Sequence, residues 1–185
     1  MYSTLFVDFM KAFDSVDINI LKLILQHIGV PISMVRALTF MQSHTHIQLR
    51  HHEGFGWHLK DPRKGLLQGC PLSPILFSIC IAPLLHALTH HTQGPITLDQ
   101  SAGPTPSIPG VLGFADDIAI TITHQNVAPV RGTLVTYEEV FGAKIQPTKT
   151  KLFMHSDASP HTFALHDAAV DVVHHFKYLG GYVCN

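Results

Sequence analysis

Two aspartates stand side by side between apolar runs: Val111–Ala115 precedes Asp116 and Asp117, and Ile118–Ile122 comes after them. Adjacent ionised carboxylates in such a setting repel each other and lose hydration, so one tends to keep its proton unless a cation intervenes. A divalent cation removes that conflict. Asp8 ends another apolar run, Leu5–Val7, as expected of a third acid carried to the same sheet. Three carboxylates at strand ends could hold two Mg2+ ions, with Mn2+ as a possible substitute. Two such ions can clamp the attacking and departing oxygens of an in-line phosphoryl transfer. Taken alone, an Asp-Asp pair is more often a plain turn, because Asp favours turns.

Other residues invite different chemistry. His86 and His90 lie four apart on an expected helix, with His91 adjacent, and could in principle bind zinc. No Cys pair or second His pair at suitable spacing accompanies them, and a structural zinc site needs four ligands. His44/His46, His51/His52 and His174/His175 are equally unorganised. Cys70, Cys80 and Cys184 form neither a paired framework nor a metal-ligand spacing, which suits a reducing compartment. Trp57, in a Gly-rich stretch, could stack on a base, but packing against the second helix is the plainer expectation.

Positioning three acids takes a sheet. Leu5–Val7 reads as a strand that stops at Asp8. Asp17 can cap a helix carrying Ile18, Leu21, Ile24, Leu25 and Ile28 at helical spacing, which Gly29 and Pro31 end. Pro31 can begin a second helix with Met34, Val35, Leu38 and Met41 on one side. His46–Leu49 alternates like a strand, and Gly54, Gly56 and Pro62 make the next stretch irregular. Ser73 and Pro74 read as the N-cap and first turn of an apolar helix over 74–88. Thr92–Gly110 turns to Pro, Gly, Ser and Thr, the composition of a loop. The runs flanking Asp116-Asp117 read as a hairpin with both acids at its tip. A helix over 129–141 places Val130, Leu134, Tyr137 and Phe141 inward and ends at Gly142; strands come next at Leu152–Met154 and around Tyr178–Val183. This order suits an α+β domain, a mixed sheet with helices on one face.

The 185 residues are 46% hydrophobic and 14% charged, enough apolar content for one core and too little charge for a disordered chain. The net charge of −1 with histidine neutral lacks the basic excess of a self-sufficient nucleic-acid binder. Fifteen histidines add charge only at acidic pH, and they are scattered. The first 20 residues show no secretory leader pattern. Ile75–Leu85, interrupted by Pro83, falls short of the roughly 20 apolar residues of a spanning helix. A soluble, intracellular protein with no membrane association is expected, either nuclear or cytoplasmic.

Five segments in fixed order carry a resemblance. LFVDFMKAFDSVD (Leu5–Asp17) resembles the first catalytic motif of reverse transcriptases of the non-LTR retrotransposon and group II intron type. GLLQGCPLSPILFSI (Gly65–Ile79) is similar to their next block, and FADD (Phe114–Asp117) to their paired-aspartate motif. GAKIQPTKTKLF (Gly142–Phe153) and FKYLGGYV (Phe176–Val183) resemble the two motifs beyond it. Gln146 stands where relatives usually carry Asn, and Phe114 where many carry Tyr.

The resemblance implies an RNA-directed DNA polymerase palm, covering residues 1–185 as one partial domain, with a fingers-side insertion at about 31–67 and a loop at about 92–110. Asp8, Asp116 and Asp117 would be the metal carboxylates, with Asp8 and Asp116 the more direct ligands. Lys149 would sit near the departing pyrophosphate. Phe13 would lie under the sugar of the incoming nucleotide, where its ring rejects a ribose 2′-OH. Gln68 and Gly69 would touch nucleotide and template. Phe176, Lys177, Tyr178, Leu179 and Gly180 would form the hairpin that holds the primer end. Implied partners are an RNA template, a DNA primer and dNTPs. The parent retroelement would supply the fingers and thumb that this chain lacks, and with them much of the basic surface. Two other readings compete: a palm remnant without catalysis and with weak nucleic-acid binding, and an unrelated metal nuclease, which explains the acids but not QGCPLSP or FKYLG.

Overall fold

A computed structural model describes residues 2–44, 46–52, 54–59, 63–92, 96–97, 107–154 and 162–184. The chain divides into two compact units: Met1–Met10, Ile81–Val140 and Lys144–Asn185 form one, and Lys11–Cys80 with Phe141–Ala143 form the other.

The first unit is built on a five-stranded sheet, ordered Asp171–Val173, Lys151–Met154, Ser3–Val7, Asp117–Ile122 and Val111–Phe114. All neighbours are antiparallel except Asp171–Val173, which runs parallel to Lys151–Met154. The central strand explains the run at Leu5–Val7: Leu5, Phe6 and Val7 are all buried, so both faces of this strand are covered. In the next strand Ile118, Ile120 and Ile122 are fully buried on one face, while Ala119 and Thr121 lie on the other. The helix Val127–Phe141 buries Val130, Leu134 and Tyr137 at helical spacing and ends at Gly142, whose φ of 69° suits glycine. Phe141 is only half-buried, and Glu138 takes an inward place beside Tyr137.

The expected loop at Thr92–Gly110 lies mostly outside the described residues. Its described parts, Ile96–Thr97 and Ser107–Ile108, pair antiparallel. At its end Gly110 leaves no space for a side chain, because a Cβ would come within 2.5 Å of Thr92 Cβ.

In the second unit Asp17 caps the helix Ile18–His27, its Oδ1 accepting hydrogen bonds from the Asn19 and Ile20 amides at 2.7 and 3.4 Å. Gly29, at φ 85°, closes that helix: its amide donates to Gln26, and the Val30 amide to Leu25. The second helix, Ile32–Ser43, departs from expectation. Val35 and Gln42 are buried, whereas Met34 and Met41 are about half exposed. Gln42 turns inward because its Oε1 accepts the Leu67 amide at 3.1 Å, a bond no apolar residue could make.

Gly54–Leu59, expected to be irregular, is a strand pairing antiparallel with His46–His51. Backbone pairing tolerates both glycines there. The side chain of Trp57 lies outside the described residues. The apolar helix spans Ser73–His91, longer than 74–88, and passes through Pro83. Its first turn starts one residue early: the Leu76 amide donates to Leu72, so Ser73 is the first helical residue and not the cap. By length and composition this helix could cross a bilayer. Its buried residues Leu76, Phe77, Cys80, Ile81, Leu84 and Leu88 recur at the spacing of a core helix.

Candidate active site

The carboxylates gather at one end of the sheet because of register. Val7 pairs with Ile118 as the last rung between their strands, so Asp8 and Asp117 are the next residue on each. Phe114 pairs with Asp117, which leaves Ala115 and Asp116 as a two-residue hairpin loop. Ala115 sits at φ 54°, a left-handed conformation that costs an alanine about 1–2 kcal/mol. Asp117 thus belongs to the returning strand, so only one of the two acids expected at the tip, Asp116, lies there. Alternation along the strands gives Asp8 the parity of Phe6 and Asp117 that of Ala119, one shared face of the sheet.

The backbone of Asp8 is held at both polar groups. Its amide donates to Thr150 Oγ1 at 3.3 Å, and its carbonyl accepts the Gln146 amide at 2.8 Å. Phe9 then pairs with Ile145, so the Gly142–Phe153 segment acts as a brace for Asp8. Ile145 is itself fixed by Glu138, whose Oε1 accepts its amide at 2.8 Å while Oε2 meets His166 Nε2 at 2.7 Å. Sequence reasoning passed over Glu138 and Thr150, and met Gln146 only as a departure from the family pattern. An acid inside the apolar stripe Val130–Leu134–Tyr137–Phe141 was the available signal. Lys149 is exposed in the turn before Thr150, its amide donating to Gln146.

The Phe176–Gly180 hairpin packs on this same face. Phe176 stacks on Phe6 with ring centres 4.7 Å apart, and Tyr178 lies 4.8 Å from Phe6. The Tyr178 hydroxyl donates to the Asp117 carbonyl at 3.4 Å. Leu179 and Gly180 both have positive φ, 48° and 83°, the pattern of a type I′ hairpin turn, and Leu179 is left exposed at the tip. Lys177 points its ammonium toward the Tyr182 ring at 6.0 Å.

Electrostatics mark the site. Partial desolvation of a still largely exposed side chain, then repulsion from Asp116 and Asp8, raises the Asp117 carboxyl above its ordinary value. Burial and the Asp117 charge likewise raise the Tyr178 phenol. Asp8 Oδ1 is buried and has no hydrogen-bond partner among the described residues. An Asp117 carboxyl repelled by both Asp116 and Asp8, together with an orphaned carboxylate oxygen on Asp8, fits a hard divalent cation. Among the described residues no three His, Cys, Asp or Glu side chains stand close enough to cage an ion alone. Mg2+ commonly binds through one or two carboxylates plus water and phosphate oxygens.

The second unit holds the other expected residues. Phe13 stacks on Phe77 at 4.7 Å and 16°, which fixes its ring. The Leu66 amide donates to the Phe13 carbonyl at 2.8 Å and the Gly65 amide to Val16 at 2.8 Å, so the strand-like segment before Gln68 runs alongside Phe13. Gln68 and Gly69 are exposed, and Gly69 has φ 84° with open space where a Cβ would stand.

A mixed, mainly antiparallel sheet with acids at its strand ends and helices alongside defines an α+β, palm-like domain. The family model for reverse transcriptase (RNA-dependent DNA polymerase) matches residues 2–183, and the chain belongs to that family. Members act on an RNA template and a DNA primer and use divalent metal ions. Among solved structures the chain is similar to the apo telomerase of Candida tropicalis truncated from its C-terminal domain. The TM-score is 0.61 and the identity 14%, with 89% of this chain and 33% of that one covered, a likeness of fold. The chain thus spans about a third of that protein's length. No curated protein matches it.

Proposed function

We propose that this chain is the catalytic palm of an RNA-directed DNA polymerase from a retroelement of the non-LTR or group II intron type. It would transfer nucleotides from dNTPs to a primer 3′-OH with two Mg2+ ions. The observation that carries the reading is the buried Asp8 oxygen, without a hydrogen-bond partner among the described residues, beside the strand of Asp117. Asp8 and Asp116 are the more direct ligands and Asp117 the third. When bound, the ions would stabilise charge on the attacking and departing oxygens. Lys149 neutralises or protonates the departing pyrophosphate. Phe13, locked by Phe77, excludes a ribose 2′-OH, and Gln68 and Gly69 contact nucleotide and template. Phe176–Gly180 holds the primer end; its aromatic anchors on Phe6 support that role.

A second reading, a palm that binds nucleic acid weakly and turns nothing over, is favoured by the net charge of −1. Primer extension on an RNA template with Mg2+ and dNTPs separates the two. Extension by the wild-type chain and its loss in Asp116→Asn supports the polymerase. Absence of extension by the wild type supports the second reading.

A further inference from the structure

The Ser73–His91 helix carries a feature that nucleotidyl transfer does not use. His86 and His90, four residues apart, lie one above the other on an exposed face. Their Nε2 atoms are 3.2 Å apart, while their ring centres are 4.7 Å apart and their planes cross at 87°. The two nitrogens thus stand closer together than the ring centres behind them. We propose that His86 and His90 form a surface clamp for one divalent transition-metal ion of the zinc, nickel or copper class.

The bite fits such an ion. With metal–nitrogen bonds of about 2.0–2.1 Å, nitrogens at this separation subtend an angle of about 100°, between square and tetrahedral. Neutral imidazole suits Zn2+, Ni2+ and Cu2+, whereas Mg2+ and Mn2+ prefer carboxylate and water oxygens. The protein therefore sorts two classes of ion: the helix clamp takes the borderline ions, and the strand-end acids the hard ones. Without metal, one Nε2 must donate its hydrogen to the other. Binding requires both Nε2 atoms bare, so that hydrogen moves to Nδ1 of the same ring. Among the described residues no third His, Cys, Asp or Glu joins the pair, and water fills the remaining positions. The clamp stands independently of the polymerase reading.

Titration calorimetry of the whole chain with Ni2+, repeated with Zn2+, tests this. One ion per chain should bind, with affinity at least tenfold lower in His86→Ala and in His90→Ala. His86→Gln and His90→Gln, which keep size and polarity, should show the same loss with an unchanged circular dichroism spectrum. His27→Ala, on a different helix, should keep the affinity, and excess Mg2+ should not compete. Unchanged affinity in both single variants would overturn the clamp, as would an equal loss in His27→Ala.

Discussion

Replacing Glu138 by alanine removes an acid whose side chain is 1% exposed and whose two oxygens each have one partner. Oε1 holds the Ile145 amide at 2.8 Å in a buried setting, and orphaning such a donor costs about 1–3 kcal/mol. Oε2 meets His166, which is half exposed, so that contact contributes less, about 1 kcal/mol. The alanine variant should therefore lose about 2–4 kcal/mol of stability. Glutamine keeps an oxygen for the Ile145 amide and gives up only charge, so Glu138→Gln should lose about 1 kcal/mol. Consequences reach the site, because Ile145 pairs with Phe9 and the Gln146 amide holds the Asp8 carbonyl. Urea unfolding followed by circular dichroism measures both variants, with an unchanged slope required for a comparison of midpoints. Equal losses in the two variants, or less than about 0.5 kcal/mol in the alanine variant, would mean that the Ile145 hydrogen bond does not carry the loss, since surface contacts give changes of that size.

Three further outcomes rest on other contacts. Asp117 has a raised folded-state pKa, so its proton is held more tightly by the folded chain. Its contribution favours folding at acid pH and is lost as pH rises through that folded value. Asp117→Asn should flatten this part of the stability–pH curve and raise metal-free stability at neutral pH by no more than about 0.5 kcal/mol, because the side chain is exposed and screened; a steeper curve in the variant would contradict the cause assigned. Cys70 has its thiol pKa lowered, first by the Leu72 backbone, whereas burial pushes Cys80 up to about 12. Iodoacetamide at pH 7.5 should label Cys70 in the native protein and Cys80 only after unfolding, read by peptide mass spectrometry. Phe13→Ala should increase ribonucleotide incorporation relative to deoxynucleotide in primer extension, and an unchanged ratio would remove Phe13 from the sugar-selecting role.

Much of the fold was legible from local chemistry. Asp17 as a cap, Gly29 and Gly142 as helix ends, and the FADD hairpin come from short-range rules that tertiary structure did not need to override. The acids at strand ends were readable because charge next to Leu5–Val7 and Ile118–Ile122 violates burial unless something compensates. What escaped was set by distant partners. Gln42 is buried for the sake of Leu67, and Met34 and Met41 stay out although their spacing matched a core stripe. Glu138 belongs with Ile145 and His166, seven and 28 residues away, so its inward position reads from sequence as an interruption. The Gly54–Leu59 strand was hidden by its glycines, which signal bends when no pairing partner is in view.

The proposed cation site draws on Asp8, Asp116 and Asp117, with water completing the coordination. Mn2+ binding to the whole chain, monitored by loss of the free-ion electron paramagnetic resonance signal, tests it without any nucleic acid. Saturable binding in the wild type that falls at least tenfold in Asp8→Asn and in Asp116→Asn is the predicted result. Equal Mn2+ binding by the wild type and both variants would contradict it.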